Sequence, residues 1–173
     1  MIADRITGDT LRASEARLRL ALDVGEMGTW TWDLRTGEGD IDERGARIVG
    51  LPSGELDDVR QAQLDSIHPD DLALVLATLE AGVAAGGTFQ LDYRVIHPDG
   101  SVHHVASRAR VITDDDGTPV SLVGTNRDVT AERAAADTLR ADAQLKAHLV
   151  RLADALRPLL DPLAIQAEAT RLL

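Results

Sequence analysis

Cysteine is absent from this chain, and aromatic residues nearly so: one Phe, one Tyr and two Trp among 173 residues. Without cysteine there is no disulfide, thiolate metal ligand or thiol nucleophile, and cysteine usage marks no redox compartment. Four aromatic rings are too few for a platform on which single-stranded bases could stack. Lysine is represented only by Lys146, and the net charge is −11. Such a balance disfavours nucleic acid, because phosphate backbones require clustered cations. No stretch approaches the roughly 18 consecutive apolar residues of a membrane span, and the N-terminus carries no apolar signal-peptide core. The expectation is a soluble, cytoplasmic chain. A self-contained enzyme would need paired carboxylates, a nucleophile with its base, or a phosphate loop, and none of these patterns is present.

What is present is a 44% hydrophobic composition, ample for one packed domain with flanking segments. Leu11, Leu18 and Leu22 recur at helical spacing from about Thr10 to Val24, predicting an amphipathic leading helix ended by Gly25 and Gly28. Trp30, Trp32 and Leu34 then alternate, and Thr36-Gly37 with Gly39 supplies a turn, which predicts a first hairpin. Short helical turns are expected from Asp42 to about Gln63, with a break at Pro52-Ser53-Gly54. Pro69 suits a first helical position, and Asp70 and Asp71 sit where a helix dipole favours negative charge. Leu72, Val75, Leu76 and Leu79 give that helix an apolar face, and Gly86-Gly87 stops it.

Three alternating stretches follow. Phe89, Leu91, Tyr93 and Val95 share one face, against Gln90, Asp92 and Arg94. After the Pro98-Asp99-Gly100 turn, His103, Val105, Ser107, Ala109 and Val111 oppose His104, Arg108 and Arg110. After Asp116-Gly117, Leu122, Gly124, Asn126 and Asp128 share a face. Two strands, helical segments and three hairpin-linked strands predict an α+β domain with a five-stranded antiparallel sheet and helices on one face.

Several motifs invite a chemical reading and do not carry it. His103 and His104 point to opposite faces of one strand, and His97 lies at a turn, so these histidines read as surface and strand-edge residues rather than metal ligands. The acidic run Asp114-Asp115-Asp116-Gly117 lacks the later ligands of a calcium loop and reads as a charged turn. His148 lacks the neighbours of a kinase phosphoacceptor and reads as a helix-surface residue. No metal site is expected.

Taken in order, GTWTWDLRTG, ARIVGL, IHPDDL, YRVIHPDGSVHHV and GTPVSLVGTNRDVT resemble the PAS family with its C-terminal PAC motif, in the subgroup common in bacterial sensor kinases. The resemblance covers about residues 24–130. It implies a glove-like fold that senses small molecules, holds a cofactor or mediates dimerisation, without catalytic activity. It also implies tests for cofactors. The flavin-adduct (LOV) branch and the branch with a thioester-linked chromophore each need a cysteine, and haem-binding members place an axial His within the long helix, where the segment from Leu72 to Ala85 has none. No cofactor is therefore expected. By parity, Trp30, Trp32, Tyr93, Val105, Ser107 and Asn126 face the inner side and are the ligand-pocket candidates. Asn126 aligns with the last-strand Gln of flavin-binding relatives. A cup this small could equally be filled by its two indoles, with Asn126 bonding its neighbours. Asp128-Val129-Thr130 matches the family's DIT-like ending, where Thr130 can cap the next helix and the pair Asp128 and Thr130 can relay a signal to it.

From Ala131 the chain reads as one long helix. Leu145, Leu149, Leu152, Leu156 and Leu159 step by a heptad pattern, which predicts a coiled-coil dimer seam through Leu145, Leu149 and Leu152, although a helix lying on its own domain would show a similar face. Pro158 breaks the helix, and residues 158–173 resemble the start of a following GAF-type domain, so the chain reads as a piece of a longer protein. The expected divisions are 1–23 for the leading helix, 24–130 for the PAS/PAC domain, 131–157 for the connector and 158–173 for the next domain. The implied role is a homodimeric sensory module of a signalling protein, a histidine kinase in the first place. A ligand-free dimerisation scaffold and the sensory part of a cyclic-dinucleotide enzyme are the alternatives.

Overall fold

The computed structural model describes residues 2–52 and 57–157, with side chains from residue 11 onward. Helix α1 (Ile2–Val24) leads into β1 (Gly28–Asp33) and β2 (Gly39–Ile41). The short helices α2 (Glu43–Ile48) and α3 (Val59–Ser66) precede α4 (Pro69–Ala85). Strands β3 (Thr88–Ile96), β4 (Val102–Thr113) and β5 (Pro119–Asp128) complete the sheet, and α5 (Thr130–Leu156) follows. The chain divides into two units after Thr130. The expected GAF-type start, with Pro158 and Leu159, lies outside the described residues.

The sheet is antiparallel throughout, in the order β2-β1-β5-β4-β3, so the last strand lies beside the first. The hairpins turn where glycine permits a positive φ, at Gly100 (84°) and Gly117 (81°). Strand parity follows the sequence alternation. Trp30 and Trp32, Val95, Val105, Ser107, Ala109 and Val111, and Leu122, Gly124 and Asn126 are buried, while Arg108, Arg110 and Val123 are exposed. The inner face supports two apolar clusters. The larger gathers Trp30, Trp32, Ile67, Val75, Leu79, Ala109, Val111 and Leu122. The smaller gathers Ile48, Val49, Val95 and Val105.

Each helix is fixed by local chemistry. Asp42 caps α2 by accepting from the Gly45 amide at 2.6 Å, and Asp58 caps α3 by accepting from the Gln61 amide at 2.8 Å. His68 takes the cap position of α4. Gly86 closes α4 with φ 69°, the left-handed region that suits a helix end. The buried face of α4 is Val75, Leu79 and Gly82, with Leu72 half-buried. Leu76, expected on that face, is exposed, because the helix is turned so that the Phe89 ring covers Gly82 and Leu76 borders an open cleft instead.

Two other expectations need correction. The leading helix ends at Val24, and Gly28, expected to help end it, belongs to β1 instead. Its Leu11 and Leu18 are exposed. Arg94 is no free outer-face cation. Its guanidinium and backbone amide all reach Asp71 in the first turn of α4, at 2.6–2.9 Å, and Asp70 stands 3.5 Å away. The acidic residues that suit the helix dipole thus also clasp edge strand β3.

That clasp makes stability depend on acid. The Arg94 guanidinium, aided by the Arg94 amide, holds the Asp71 carboxyl down at about 2 from an ordinary 3.8, against partial burial, which works the other way. A carboxylate whose folded-state value is depressed stabilises the fold above its unfolded value, and that contribution is lost as pH falls from about 4 through about 2. Asp71→Asn is expected to cost about 1–2 kcal/mol at neutral pH, given the partial exposure of both partners. The gap between variant and parent in chemical denaturation should shrink through that acid window. A gap that is constant from neutral pH down to about 2 would show that charge is not what joins the two residues.

Candidate functional site

The side chains expected to line a pocket are brought together, with one exception, and they largely fill the space between them. Trp30, Trp32, Tyr93, Ser107 and Asn126 surround an enclosed cavity of about 20 Å³ between the sheet and α4. A void of this size holds about one water molecule. Val105 does not reach it and sits in the smaller cluster with Ile48, Val49 and Val95. Alternation along β4 gives the face but not the position along the cup, and Val105 lies two residues nearer the far end than Ser107.

The two indoles are held by amides. Trp30 Nε1 donates to Asn126 Oδ1 at 3.0 Å, and Trp32 Nε1 donates to Gln63 Oε1 at 2.9 Å. The rings tilt at 50° with centroids 5.1 Å apart, a favourable edge-and-face arrangement. Trp30 also lies flat over Gly124, where a Cβ would come within 2.4 Å of the ring. Asn126 is therefore engaged as an indole anchor. Gln63 was not legible as a site residue, because nothing in the weak helical stretch around it distinguishes it. Its Nε2 is buried without a hydrogen-bond partner. Burial also pushes the Tyr93 phenol far up, so it stays neutral. An isoalloxazine or haem would have to displace both indoles.

A second space opens on the other side of Trp32. A cleft of about 410 Å³ runs between the sheet and the C-terminal half of α4, bordered by Leu34, Leu64, Leu76, Val83 and Ala84, with Arg60 and Glu80 as its charged residues. The Arg60 guanidinium lies 5.3 Å from the Trp32 ring centroid, a cation–π distance. The expected single pocket is thus two spaces with Trp32 as the wall between them. Of these two spaces, the cleft is the one with the size of a small-molecule site.

The junction of β5 with α5 is tied together by several hydrogen bonds. Asp128 Oδ1 accepts from the Thr130 amide and hydroxyl at 2.8 and 2.5 Å. The Thr130 hydroxyl in turn accepts from the His104 amide at 2.8 Å, and the Val129 amide donates to the His104 carbonyl. Asp128 Oδ2 meets His103 Nδ1 at 2.8 Å. Burial works to raise the Asp128 carboxyl, but the Thr130 and His103 hydrogen bonds outweigh it and hold it below its ordinary range. His103 was expected as a strand-edge residue without a role. Pairing of Val95 with His103 across the Pro98-Asp99-Gly100 turn, followed to the end of β5, was the signal that could have placed it beside Asp128.

Asp114 Oδ1 accepts from the Asp116 and Thr118 amides and closes a turn, and His148 is exposed on α5. Among the described residues no group of three or more His, Asp or Glu side chains is placed to hold a metal ion, and no helix is long and apolar enough to cross a membrane. Leu145, Leu149 and Leu152 lie exposed on α5.

Comparison with known proteins agrees with this architecture. Residues 40–126 match the family model described as PAS fold. The crystal structure of a sensory box histidine kinase/response regulator from Burkholderia thailandensis is 32% identical, with a TM-score of 0.64 over 76% of this chain and 98% of that one. A blue-light-activated histidine kinase of Brucella anthropi is 28% identical over 122 residues, which cover 70% of this chain and 24% of that protein. A probable diguanylate cyclase, DgcE of Escherichia coli, is 24% identical over 114 residues, 66% of this chain and 10% of that protein. The chain therefore spans about a quarter and about a tenth of these two curated relatives. Signalling proteins with different outputs thus carry a domain similar to this one. With its five-stranded sheet, its helices on the inner face and this match, the chain belongs to the PAS fold family, as a sensory rather than a catalytic domain.

Proposed function

We propose that the chain is the sensory and dimerisation module of a cytoplasmic, multidomain bacterial signalling protein, a sensor histidine kinase in the first place. It takes its signal in the cleft beside Trp32 and passes it to α5 through Asp128 and Thr130. The observation that carries this reading is the junction: one carboxylate ties the end of β5, the start of α5 and a β4 histidine together, so a shift of the sheet is felt at the helix. The likeness to a sensory box histidine kinase/response regulator supports the kinase output. The diguanylate cyclase relative supports a cyclic-dinucleotide output as the second reading.

The filled inner cavity and the missing cysteine support a module without flavin, haem or a thioester chromophore. Purified protein, produced with those cofactors supplied, is expected to show no visible absorption band. Native mass spectrometry of fresh protein then separates a sensor that retains a small molecule from a ligand-free scaffold. A ligand-bound structure should place the molecule between the inner face and α4, against Trp32. A molecule on the outer face near Arg94 or Arg108 would overturn the assignment of the cleft.

A further inference from the structure

We propose that this domain carries a second input site whose ligand is the proton: His103, set between the Pro98-Asp99-Gly100 turn and Asp128, converts ambient pH into a change at the start of α5. The inference rests on the reading that this junction relays signals. It adds an input independent of the cleft.

The argument is a count of hydrogens. His103 Nε2 lies 3.0 Å from Ser101 Oγ, and Nδ1 lies 2.8 Å from Asp128 Oδ2. Ser101 Oγ lies 2.6 Å from Asp99 Oδ1, which also accepts from the Ser101 amide at 2.9 Å. Hydrogen bonds from the Ser101 hydroxyl and amide hold the Asp99 carboxyl below its ordinary range, so it is an acceptor only. Asp128, also ionised, can only accept as well. A serine hydroxyl has one proton to give. If that proton goes to Asp99, at the shorter distance, Ser101 has only lone pairs to offer His103, and Nε2 must be the donor. With Nδ1 donating to Asp128, both ring nitrogens carry hydrogen, and the ring is an imidazolium.

Removal of one proton leaves an equally well-defined alternative. Asp128 keeps the hydrogen on Nδ1, Nε2 becomes an acceptor, and the Ser101 hydroxyl swings from Asp99 to His103. The chain Asp99–Ser101–His103–Asp128 therefore has two arrangements that differ by one proton. The bond to Asp128 is charge-assisted on both sides in one and on one side in the other. Histidine is the side chain that makes this change between about pH 5 and 8.

The surroundings favour one titrating ring rather than two. His97 stacks on His103 with centroids 3.8 Å apart and planes 11° from parallel. Its Nε2 lies 3.1 Å from the Ile48 carbonyl, which can only accept, so His97 carries a hydrogen on Nε2. A second positive ring at stacking distance would be repelled by the first. The titratable and charged groups facing the pair are Asp99 from the turn and Asp128 from the end of β5. From α2 the contact is the Ile48 backbone carbonyl, while its Glu43 and Arg47 are exposed and paired with each other. Across the hairpin, His103 is paired with the buried, apolar Val95. Because Asp128 also receives both Thr130 bonds, any change in its pull on His103 reaches the first residue of α5.

The test uses nitrogen-resolved NMR of the histidine rings in the full chain, with amide hydrogen exchange at Val129 and Thr130, between about pH 5.5 and 8. Two protonated ring nitrogens on His103 are expected at the acid end, and the less common Nδ1–H tautomer at the alkaline end. After correction for the intrinsic pH dependence of exchange, protection at the junction should fall about five- to tenfold as the ring loses its charge. His103→Arg, with a fixed charge, should hold the acid-end protection at both pH values, and His103→Gln the alkaline-end protection. A neutral His103 in the Nε2–H tautomer would overturn the proposal, as would a ring that does not titrate in this range. Both ring measurements need no variant. A junction response to pH that survives in both variants would equally overturn it. A junction that ignores pH but answers to a cleft ligand would remove the proton input and leave the sensory reading intact.

Discussion

Gly28→Ala is expected to cost about 3 kcal/mol or more, the upper range of overpacking effects, and to lower the melting temperature by on the order of 15 °C. The reason is a backbone-to-backbone approach. A Cβ at Gly28 would lie 2.2 Å from both the nitrogen and the Cα of Gly45 in α2, and neither atom can rotate away as a side chain would. The approach is enforced from both sides. Asp42 Oδ2 accepts from the Thr29 amide and hydroxyl, its Oδ1 accepts from the Gly45 amide, and the Asp42 amide donates to the Thr29 carbonyl. To relieve the clash, α2 must lift from β1, taking Ile48 and the following Val49 out of the smaller core cluster. Gly100→Ala is the control. No atom lies within 4 Å of its would-be Cβ, and only its φ of 84° resists, so about 1 kcal/mol is expected. Thermal and chemical denaturation of the two variants should separate them clearly. Equal losses would mean that the contact between β1 and α2 yields more easily than its hydrogen bonds imply.

Neither glycine announces this difference in the sequence. Gly28 was read as part of a helix stop, because a glycine shortly after an amphipathic stretch ordinarily ends it. Its need for a bare Cα arises from a residue 17 positions away. The same limit governs the site. Alternation along β1, β4 and β5 told correctly which side chains face inward, since a two-residue period is a property of the strand itself. It could not tell that Trp30 and Trp32 fill the cup, that Val105 belongs to a different cluster from Ser107, or that Leu76 borders a cleft. Depth along the sheet and rotation of α4 are set by Gly82, Gly124 and their aromatic partners, through tertiary contacts. Asp71 is the instructive middle case. Its place in the first turn of α4 was legible from the dipole argument, but its bond to Arg94 follows only once β3 is known to be the edge strand beside that turn. Asp128 and Thr130 were legible because the bonds between them span only two residues at the end of a strand. Their tie to His103 was not, because it needs the register of a hairpin and of the next strand together.

Leu149→Asp with Leu152→Asp is expected to convert a dimer into monomers whose PAS domain remains folded. On α5, Leu145, Leu149, Leu152 and Leu156 recur at steps of four, three and four, and all are exposed, which is the spacing of a coiled-coil seam. A second copy of the chain is the occupant this spacing fits, since a parallel pair would bring the same leucines into register. Complete burial of one leucine contributes about 1.5–3 kcal/mol. Three from each chain are therefore of the same order as the roughly 4–15 kcal/mol cost of association. Carboxylates in the middle of the seam would remove two of these leucines per chain and add charges that burial cannot tolerate unpaired. The PAS domain should not be affected, because its clusters are formed by residues before Thr130. Sedimentation velocity across a concentration series reads the association, and amide dispersion from the sheet reads the fold. If the double variant sediments as an unchanged dimer, the interface lies elsewhere. The remaining surfaces are α1, with exposed Leu11 and Leu18, and the outer sheet face, where Ile96, Val102, Ile112 and Val123 are exposed beside Arg108 and Arg110.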